Sequence, residues 1–483
     1  MLPRTTTAAL LCTGLLAARA HAQCPGEWTA PFEAGGPALD NFVGALGAWD
    51  ADGDPNTPAR LVVGGTFANA GGQPAARCAM FDGAWHNMGT GVTSSGFPSV
   101  MMSYDPDGAG PLPNEVAMGG FFQQVAATTV RNIAHWNGSA WGALSTGTQD
   151  VNGFPDVYCA TLWDPDGPGP APEQLVIGGG FTVAGGLSRR RVARWDGTTW
   201  QGFSTGMNDE VYALTTWDPD GPGPALPGIA AGGFFQTAGG ASTPRIAFWD
   251  GAAWSTVGGG MDGQVESLTT WDPDGPGPSP AQLIAGGTFL NASGSPASKV
   301  ARFDGAWHPM GAGMNNTVFT LRPWDTDGPG PAAPALIAGG TFTTADTQTV
   351  NYIASWDGAA WHPLGPGMNS SVFELITWDP DGAGPAPEGL VAGGLFTTAG
   401  SVAASRLAFL PGCAPTPTCD PVDFNNDGLF PDTQDIDDFL SVFSGGPCST
   451  NDCSDIDFNN DGLFPDTTDI DAFLAVFSGG ACT

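Results

Sequence analysis

One unit of sequence recurs seven times before residue 413, and this repeat limits the possible folds more than any other feature of the chain. Each copy carries a variant of Trp-Asp-Pro-Asp-Gly, then Gly-Gly-x-Phe, then (Trp/Phe)-Asp-Gly and a further tryptophan. The most regular copy runs from Val265 to Gly313. The first landmark falls at Trp49, Tyr104, Trp163, Trp217, Trp271, Trp324 and Trp378, a period of about 54 residues. Such a period is typical of stacked supersecondary units, either a solenoid or a propeller.

The apolar runs within one copy are short and are separated by Gly, Pro and Asp, which is a strand pattern. In the most regular copy, strands are predicted at Val265 to Trp271, Gln282 to Phe289, Lys299 to Phe303 and Ala306 to Met310. Helical periodicity is absent, which excludes helical repeats. Four antiparallel strands per repeat form a propeller blade, so the predicted fold class is all-β, a seven-bladed four-stranded β-propeller.

The repeated glycines and tryptophans are predicted to be structural. Gly-Gly closes the second strand, where the lack of side chains lets neighbouring backbones approach closely. The tryptophans of the predicted fourth strand are expected to pack between blades, with a sugar-stacking surface as the alternative. They are Trp85, Trp141, Trp200, Trp254, Trp307 and Trp361. His86, His308 and His362 each follow one of them directly, and this repeated place indicates a structural role as well.

The Gly-Gly segment and the downstream Trp-x-x-(Leu/Met) pattern, as in Trp361 to Leu364, resemble the repeats of the kelch family. The resemblance covers residues 24–413 and implies a β-propeller with blades of about 50 residues. The chain departs from the family by its inserted Pro-Gly-rich WDPDGPGP loop and by phenylalanine where kelch units often have tyrosine. The shared motifs are structural, so the resemblance implies a fold and says little about function.

The N-terminus predicts export. Arg4, an apolar run from Ala8 to Ala18 and the Ala20-His21-Ala22 segment are typical of a secretory signal peptide over residues 1–22. No later stretch approaches the 18 or more apolar residues of a membrane span, so no membrane insertion is expected. The expected location is therefore secreted, extracellular or at the cell surface.

The net charge of the chain limits the classes of partner that it can bind. It carries 48 acidic and 14 basic residues, with Lys299 as the only lysine, for a net charge of −34. Such a charge repels nucleic acid and anionic membranes and attracts divalent cations. No nucleic-acid partner is expected.

The two ends of the repeat array complement each other. The segment around Trp28 matches the end of a repeat, whereas the seventh copy stops after its third strand, Arg406 to Leu410, without a fourth-strand tryptophan. Because a closed ring leaves no open sheet edge, the N-terminal strand is predicted to complete the last blade. Cys24 and Cys413 flank that seam, and a disulfide between them is expected in an exported protein, with Cys413 to Cys419 as the alternative.

Two further cysteines, Cys78 and Cys159, fall in the first and third blades and are predicted to be buried free thiols unless they are neighbours in space.

The Asp-rich loops of the repeats permit two interpretations. All seven contain Asp-x-Asp-Gly, as in Asp218 to Gly221, and the first offers Asp50, Asp52, Asp54 and Asn56. Turn-forming Asp, Pro and Gly explain them without a metal, because most supply only two carboxylates. They also resemble the strand-connecting calcium loops of FG-GAP propellers, which is the alternative. Since strands alternate in direction, these loops and the third-to-fourth connections are expected on one acidic face.

A different unit follows a Pro-Thr-Pro linker (414–418). Residues 419–483 contain two copies of about 30 residues, Cys419 to Cys448 and Cys453 to Cys482, offset by 34 positions. Each copy opens with Asp-x-Asn-x-Asp-Gly and continues with apolar residues at helical spacing, stopped by Gly-Gly. Alternating side-chain oxygens, then a glycine and a backbone carbonyl, are the pattern of an EF-hand-type loop that binds Ca²⁺. The predicted ligands are Asp423, Asn425, Asp427, Leu429, Asp432 and Asp435, and Asp457, Asn459, Asp461, Leu463, Asp466 and Asp469.

This duplicated loop-helix unit resembles the type I dockerin module. The resemblance covers Cys419 to the end and implies docking onto a cohesin-like extracellular protein. The loops are one residue longer than the family pattern, which leaves the bidentate ligand open between Asp432 and Asp435, and between Asp466 and Asp469. The flanking cysteines are not part of that pattern. By internal symmetry, Cys419 is expected to pair with Cys448 and Cys453 with Cys482.

Catalytic motifs are not evident. The sequence has no HExxH segment, Ser-His-Asp order or Cys-His pairing, and its only tyrosines are Tyr104, Tyr158, Tyr212 and Tyr352. Copper-radical oxidases built on kelch propellers require Tyr and His ligands. A sialidase-like Asp-box at Asp196 to Trp200 lacks one residue and a nucleophile. The unique cluster of Arg189, Arg190, Arg191 and Arg194 is interpreted as a solvated loop or, alternatively, as an anion site.

The sequence therefore predicts a secreted non-catalytic binding or scaffold protein, with the propeller as the platform for a protein or glycan and the C-terminal module for docking or assembly. One alternative is an extracellular polysaccharide-processing enzyme, which would need a convergent Asp/Glu pair at the central opening that the sequence does not locate. The other is a purely structural surface protein.

Overall fold

The computed structural model describes most of residues 26–413 and parts of the C-terminal region. Between 26 and 413 it leaves out 34–35, 55–56, 109–111, 151–155, 168–170, 222, 274, 276–278, 327–333 and 383–386. Beyond 413 it describes 424, 433–444, 446, 458, 469–470 and 472–474. The predicted signal peptide, Cys24 and the linker lie outside the described residues. Within them, no helix is long and apolar enough to cross a membrane.

Seven antiparallel sheets form the blades of a β-propeller, which confirms the predicted fold class. The first strands are Val43–Trp49, Phe97–Tyr104, Val157–Trp163, Val211–Trp217, Val265–Trp271, Val318–Trp324 and Val372–Trp378. The second strands are Arg60–Gly65, Glu115–Phe121, Gln174–Gly179, Gly228–Gly233, Gln282–Gly287, Ala335–Gly340 and Gly389–Gly394. The third strands are Cys78–Phe81, Ile133–Trp136, Val192–Trp195, Ile246–Trp249, Val300–Phe303, Ile353–Trp356 and Leu407–Leu410. The fourth strands are Trp85–Asn87, Trp141–Ala143, Trp200–Gly202, Trp254–Thr256, Trp307–Pro309 and Trp361–Pro363.

Short hairpins between the second and third strands are an element that the sequence pattern did not reveal. One of them pairs Asn291–Ala292 with Ser295–Pro296, and the predicted second strand accordingly ends at Gly287 rather than at Phe289. The others are Asn69–Ala70 with Gln73–Pro74, Gln124–Val125 with Thr128–Thr129, Val183–Ala184 with Leu187–Ser188, Thr237–Ala238 with Ala241–Ser242, Thr344–Ala345 with Gln348–Thr349, and Thr398–Ala399 with Val402–Ala403. A further short strand, Thr148–Gln149, pairs with Val183–Ala184. Two-residue strands are too short to show an alternating pattern.

Gly-Gly lies at the end of every second strand, or one residue before it in the second blade, for a steric reason. A Cβ on the first glycine of the pair would lie within 2.7 Å of a side chain at the start of the next blade's first strand, as Gly286 would to Val318. A Cβ on the second glycine, such as Gly287, would overlap the Gln264 carbonyl oxygen of its own blade. The expected close approach of backbones is therefore confirmed, and it occurs both between blades and within each blade.

The repeated tryptophans join neighbouring blades, as predicted. The indole N–H of each fourth-strand tryptophan donates to a carbonyl of the preceding blade, as Trp361 does to Met310 at 3.0 Å. The tryptophan that ends a first strand donates to the following blade, as Trp271 does to Pro334 at 2.8 Å. Both kinds of indole are largely buried, so each bond is made in a water-poor seam, where an unpaired N–H would be costly.

The ring is closed by the N-terminal strand, as predicted. Thr29 pairs with Phe409 through two backbone hydrogen bonds of 2.8 and 3.0 Å. Trp28 is 2% exposed and its indole donates to the Leu364 carbonyl, so it takes the place of the missing fourth-strand tryptophan of the last blade. Trp378 completes the other side of the seam by donating to the Ala59 carbonyl of the first blade at 2.6 Å.

The described cysteines agree with part of the prediction. Cys78 and Cys159 are free thiols, and Cys78 is fully buried while Cys159 is half-buried. Cys413 is disulfide-bonded. Since Cys24 and Cys419 both lie outside the described residues, the choice between them stays a prediction. Cys448, Cys453 and Cys482 lie outside as well.

The C-terminal module has a helix, Thr433–Phe443, and helical residues at 469–470 and 472–474. Its core is symmetric: the rings of Phe439 and Phe473, which occupy equivalent positions in the two copies, stack 4.4 Å apart at an angle of 5°. Phe424 meets Phe439 edge-on at 5.2 Å and Phe458 meets Phe473 edge-on at 5.0 Å. The two copies therefore share one core instead of forming two.

The apolar residues at helical spacing in this module are not all buried. Leu440 and Leu474, at equivalent positions of the two copies, are each 45% exposed. Phe424 and Phe458, which lie inside the predicted calcium loops, are fully buried and supply the core surface instead. The helix spacing alone could not show that each loop contributes a phenylalanine.

The closing seam yields a first prediction. Trp28→Ala should lower the free energy of unfolding by about 3–5 kcal/mol, because it empties a buried site and breaks the seam. Trp28→Phe, which keeps a ring but loses the indole N–H, should cost less. Urea unfolding of the full chain, followed by tryptophan fluorescence, measures both. A Trp28→Ala protein as stable as the wild type would mean that the N-terminal strand does not close the ring.

Candidate functional site

The first strands of the seven blades surround a central channel. Its cavity has a volume of about 300 Å³ and is lined by residues from every blade. The position after the first valine of these strands differs between blades, although the strands around it repeat. It holds Gly44, Tyr158, Tyr212, Glu266, Phe319 and Phe373, with Ser99 at the equivalent place in the second blade. Unique residues in a repeated frame are where a site is expected.

One end of this channel, where the first strands begin, carries half-buried side chains from all seven blades. We call this set the rim; it consists of Phe42, Phe97, Tyr158, Tyr212, Glu266, Phe319 and Phe373. Phe42 belongs to it because its ring lies over Gly44, where a Cβ would come within 2.7 Å of the ring. The first blade thus supplies an aromatic side chain from two residues earlier.

Four phenylalanines form a continuous arc on one side of the rim. Phe97 meets Phe42 edge-on at 6.2 Å, and Phe42 meets Phe373 edge-on at 4.9 Å. Phe373 then stacks on Phe319 with ring centroids 5.0 Å apart. The arc spans the second, first, seventh and sixth blades. Edge-on and stacked contacts at these distances are favourable arrangements of aromatic rings.

The other side of the rim, on the third to fifth blades, is polar. The rings of Tyr158 and Tyr212 lie 5.4 Å apart. The Tyr212 hydroxyl donates to Glu210, and the Tyr158 hydroxyl is hydrogen-bonded to Asp156. Glu266 follows on the fifth blade and interacts electrostatically with Glu210. Asp156, Glu210 and Glu266 are therefore neighbours, although they are distant in sequence.

This asymmetry continues deeper in the channel. Thr161, Thr215 and Thr269 occupy equivalent positions on the third to fifth blades and line the cavity. On the sixth blade Arg322 stands at that position and donates to the Thr377 hydroxyl of the seventh blade at 2.7 Å. Glu374 lies nearby and also lines the cavity. Among the described residues, Arg322 and Glu374 form no ion pair within 4.0 Å.

The environment shifts the acidity of these carboxyl groups. Burial, together with the nearby Glu210 charge, raises the pKa of Glu266 to about 7. Burial raises the pKa of Asp156 to about 6; the Tyr158 hydrogen bond opposes this shift and Glu210 adds to it. Burial raises the pKa of Glu374 to about 7 although Arg322 opposes it. These groups therefore titrate near neutral pH, where an ordinary carboxyl group is fully ionised.

The Asp-rich loops lie at the opposite end of the first strands and behave as turns. The first aspartate accepts backbone N–H bonds from its own loop, as Asp379 does from Asp381 at 3.0 Å and Gly382 at 2.9 Å. The second aspartate accepts a backbone N–H five residues on, as Asp166 does from Ala171 at 3.2 Å. Carboxylates that cap their own backbone in this way are typical of Asx turns. This supports the turn interpretation over the calcium interpretation.

The other candidate side chains have structural partners. His86, His308 and His362 each pair with the aspartate of the adjacent turn, at 2.8–2.9 Å. The arginine cluster does not converge on one point: Arg191 donates to the Gly180 carbonyl, and the Arg194 guanidinium lies 5.3 Å from the centre of the Trp163 ring. The structure therefore does not bring these arginines together as a single anion site.

Only two of the predicted calcium ligands lie within the described residues. Asp435 and Asp469, at equivalent positions of the two copies, are 1% and 2% exposed. A buried carboxylate requires compensation by hydrogen bonds or a cation, and the part of these two residues in calcium binding stays a prediction. Asp423, Asn425, Asp427, Leu429, Asp432, Asp457, Asn459, Asp461, Leu463 and Asp466 lie outside the described residues. Within the described part of the chain, no group of three or more His, Cys, Asp or Glu residues could hold a metal ion.

Comparisons with known proteins do not show a family for this chain. No protein-family model matches the chain, and no curated protein shows significant similarity to it. Solved structures of similar shape include "BBS1N in complex with ARL6DN, soaked with lead", at 12% identity and a TM-score of 0.46 over 80% of this chain and 98% of that one. Another is Saccharomyces cerevisiae Sqt1, at 11% identity and a TM-score of 0.43 over 78% and 97%. A third is rhamnogalacturonan lyase YesW, at 15% identity and a TM-score of 0.40 over 80% of this chain and 76% of that one.

The raised pKa of Glu266 yields a prediction about pH. A carboxyl group whose folded pKa lies above its ordinary value of 4.5 keeps its proton when the unfolded chain has lost it, so its contribution to stability falls as pH rises from about 4.5 to about 7. Glu266→Gln removes this contribution. The difference in free energy of unfolding between the variant and the wild type should shift in favour of the variant by on the order of 1–3 kcal/mol across that interval. Above pH 7 the difference should stay constant.

Urea unfolding of both proteins between pH 4.5 and 8.5 tests this. The exposed Glu27→Gln is the matched control and should run parallel to the wild type. A constant difference between Glu266→Gln and the wild type at all pH values would show that Glu266 titrates like an exposed carboxyl group.

Proposed function

We propose that the chain is a secreted, non-catalytic binding protein. The propeller holds a ligand at the rim and in the channel behind it, and the C-terminal module serves as a calcium-dependent docking unit. The observation that carries the first part is the loss of repeat symmetry at the channel. The repeated glycines and tryptophans serve ring closure and the repeated aspartates serve turns, whereas the channel side chains serve neither purpose.

The channel has the composition of a binding site. Half-buried aromatic rings, hydroxyl groups and charged side chains from different blades meet around a cavity of about 300 Å³. Ligand sites are concave and combine mostly apolar walls with a few placed polar groups. Glu266 accepts no hydrogen bond from the residues that the structure describes, which leaves its oxygens available to a ligand.

The proposal for the C-terminal module rests on its sequence and on the buried acids. The two Asp-x-Asn-x-Asp-Gly loops supply hard oxygen ligands, which suit Ca²⁺. Asp435 and Asp469 are buried at the start of the helical segments, and each loop places a phenylalanine in the shared core. Calcium would hold the loops so that these phenylalanines stay in place. Disulfides Cys419–Cys448 and Cys453–Cys482 are proposed as additional constraints.

Docking by this module is supported by its surface. Leu440 and Leu474 occupy equivalent positions on the helical segments and are each 45% exposed, so the module offers two equivalent apolar contacts to a partner. A cohesin-like extracellular protein is the partner that the dockerin resemblance implies. The kelch and dockerin relationships remain part of the proposal.

A second candidate is a polysaccharide-processing enzyme, and one observation favours it. Asp156, Glu210 and Glu266 lie together at the channel, and burial raises the pKa of Asp156 to about 6 and that of Glu266 to about 7. General acid–base catalysis needs one protonated and one ionised group near neutral pH. Incubating the mature protein with neutral polysaccharides separates the candidates. Release of new reducing ends that Glu266→Gln abolishes would favour the enzyme, and intact polysaccharide supports the binding protein.

Calcium binding yields the next prediction. The mature protein should bind two Ca²⁺ in its C-terminal module, and Asp427→Ala or Asp461→Ala should each remove one, because each substitution deletes a loop ligand. Calorimetric titration of the full chain measures the stoichiometry. Asp218→Ala, in a propeller loop that the structure presents as a turn, is the matched control and should leave both sites intact.

The same proteins report on stability. Calcium should raise the melting temperature of the C-terminal module and leave that of the propeller unchanged, because a ligand stabilises only the folded unit that binds it. Two observations in the calcium titration would contradict the assignment of the calcium sites to the C-terminal loops. One is an equal number of bound Ca²⁺ in the wild type and the two loop variants, and the other is the loss of a site in Asp218→Ala.

A further inference from the structure

The rim divides into two unlike halves, whereas deeper in the channel Arg322 and Glu374 place charged groups on the sixth and seventh blades. The phenylalanine arc belongs to the sixth, seventh, first and second blades, whereas the tyrosines, Glu266 and the three threonines belong to the third, fourth and fifth. A ligand at the rim has phenylalanine rings on one side, of which Phe319 also lines the cavity, and hydrogen-bonding groups on the other. A ligand with an apolar face and a polar edge matches both sides.

Several polar groups of the channel make weak hydrogen bonds that a ligand can replace. The hydroxyls of Thr161, Thr215 and Thr269 make only long contacts of 3.4 Å to backbone carbonyls. These contacts lie at the limit of hydrogen-bond geometry and can be exchanged for better ones. On the sixth blade, Arg322 donates to the Thr377 hydroxyl and also lines the cavity.

The charge around the channel sets a further limit. Glu266 and Glu374 line the cavity, and Asp156 and Glu210 lie beside the rim, against the single cation Arg322 among the described lining residues. The chain as a whole carries a net charge of −34. The net charge of the chain would repel a ligand with carboxylate, sulfate or phosphate groups on its approach.

From this arrangement we infer that the rim and channel bind a short neutral saccharide, with the rings of the phenylalanine arc against a sugar face and the tyrosines, Glu266 and the threonines bonded to sugar hydroxyls. A pyranose ring presents C–H bonds on its faces and hydroxyl groups along its edge, which matches the two halves of the rim. The cavity of about 300 Å³ is at the lower end of ligand-site volumes and suits a chain end better than a long segment.

This inference rests on the proposed binding function and specifies its ligand. The sequence alternative of sugar stacking on the fourth-strand tryptophans is not supported, because their indoles are engaged with neighbouring blades. The stacking surface belongs instead to the half-buried rings of the rim.

The test uses the full mature protein and an array of neutral, amino-bearing and acidic oligosaccharides, followed by calorimetric titration with any oligosaccharide that binds. Two channel variants are compared with the wild type, Glu266→Gln and the double variant Tyr158→Ala/Tyr212→Ala. Phe234→Ala is the matched control, since Phe234 is 41% exposed and lies outside the channel lining. Circular dichroism shows which variants fold.

The expected result is binding of neutral oligosaccharides, with affinity at least tenfold lower in Glu266→Gln and unchanged in Phe234→Ala. If the double variant fails to fold, the conservative Glu266→Gln still decides. Preference for acidic or amino-bearing oligosaccharides, or binding that the channel variants leave intact, would overturn the inference. If no oligosaccharide binds but a protein partner is held and lost in Glu266→Gln, the saccharide is wrong while the proposed binding function stands.

Discussion

The structure depends on how closely the backbones of neighbouring blades can approach at the Gly-Gly pairs. At Gly286, any side chain would collide with Val318 of the next blade, and the same relation recurs around the ring. Because packed interiors tolerate little added volume, seven such contacts hold the first strands at one distance from the axis. The central channel and the rim exist only because these contacts close into a full circle.

The seam between the last and first blades uses the same contacts as the seams between the other blades. Gly393 faces Val43 of the first blade, as Gly286 faces Val318. The indole of Trp28 reaches the preceding blade as the fourth-strand tryptophans do. One strand from the start of the chain thus completes the blade at its end. Contacts between residues more than 300 positions apart hold the ring together, whereas each internal seam uses residues of adjacent repeats.

Much of this architecture was predictable because it repeats. Seven copies of the glycine pair and six of each repeated tryptophan reveal the period, the strands and the missing strand at Trp28. The rim is different, since it depends on positions at which the repeats disagree. A signal was present in the sequence, in the column that reads Tyr158, Tyr212, Glu266, Phe319 and Phe373. Only the closed ring shows that the residues of this column lie around one axis and form the rim.

The carboxyl groups illustrate what the sequence could not supply. Asp156, Glu210 and Glu266 are each 54 or more residues apart and look like ordinary acidic residues in a strongly acidic chain. Adjacent blades bring the three side chains together, and burial there raises the pKa of Asp156 and of Glu266. By contrast, the aspartates of the repeated loops, which stand out in the sequence, cap turns. Of the predicted calcium ligands, the buried Asp435 and Asp469 are the two whose surroundings the structure describes.

The central claim is that the ring is closed at the last seam by the same packing as at every other seam. The free energy of unfolding of Gly393→Ala, compared with that of Gly286→Ala, tests it most directly. Both substitutions place a methyl group against the valine of a neighbouring blade, within 2.7 Å of its Cγ1. Both should lose a similar amount of stability, about 1–3 kcal/mol or more. A Gly393→Ala protein with wild-type stability, beside a destabilised Gly286→Ala, would contradict closure between the last and first blades.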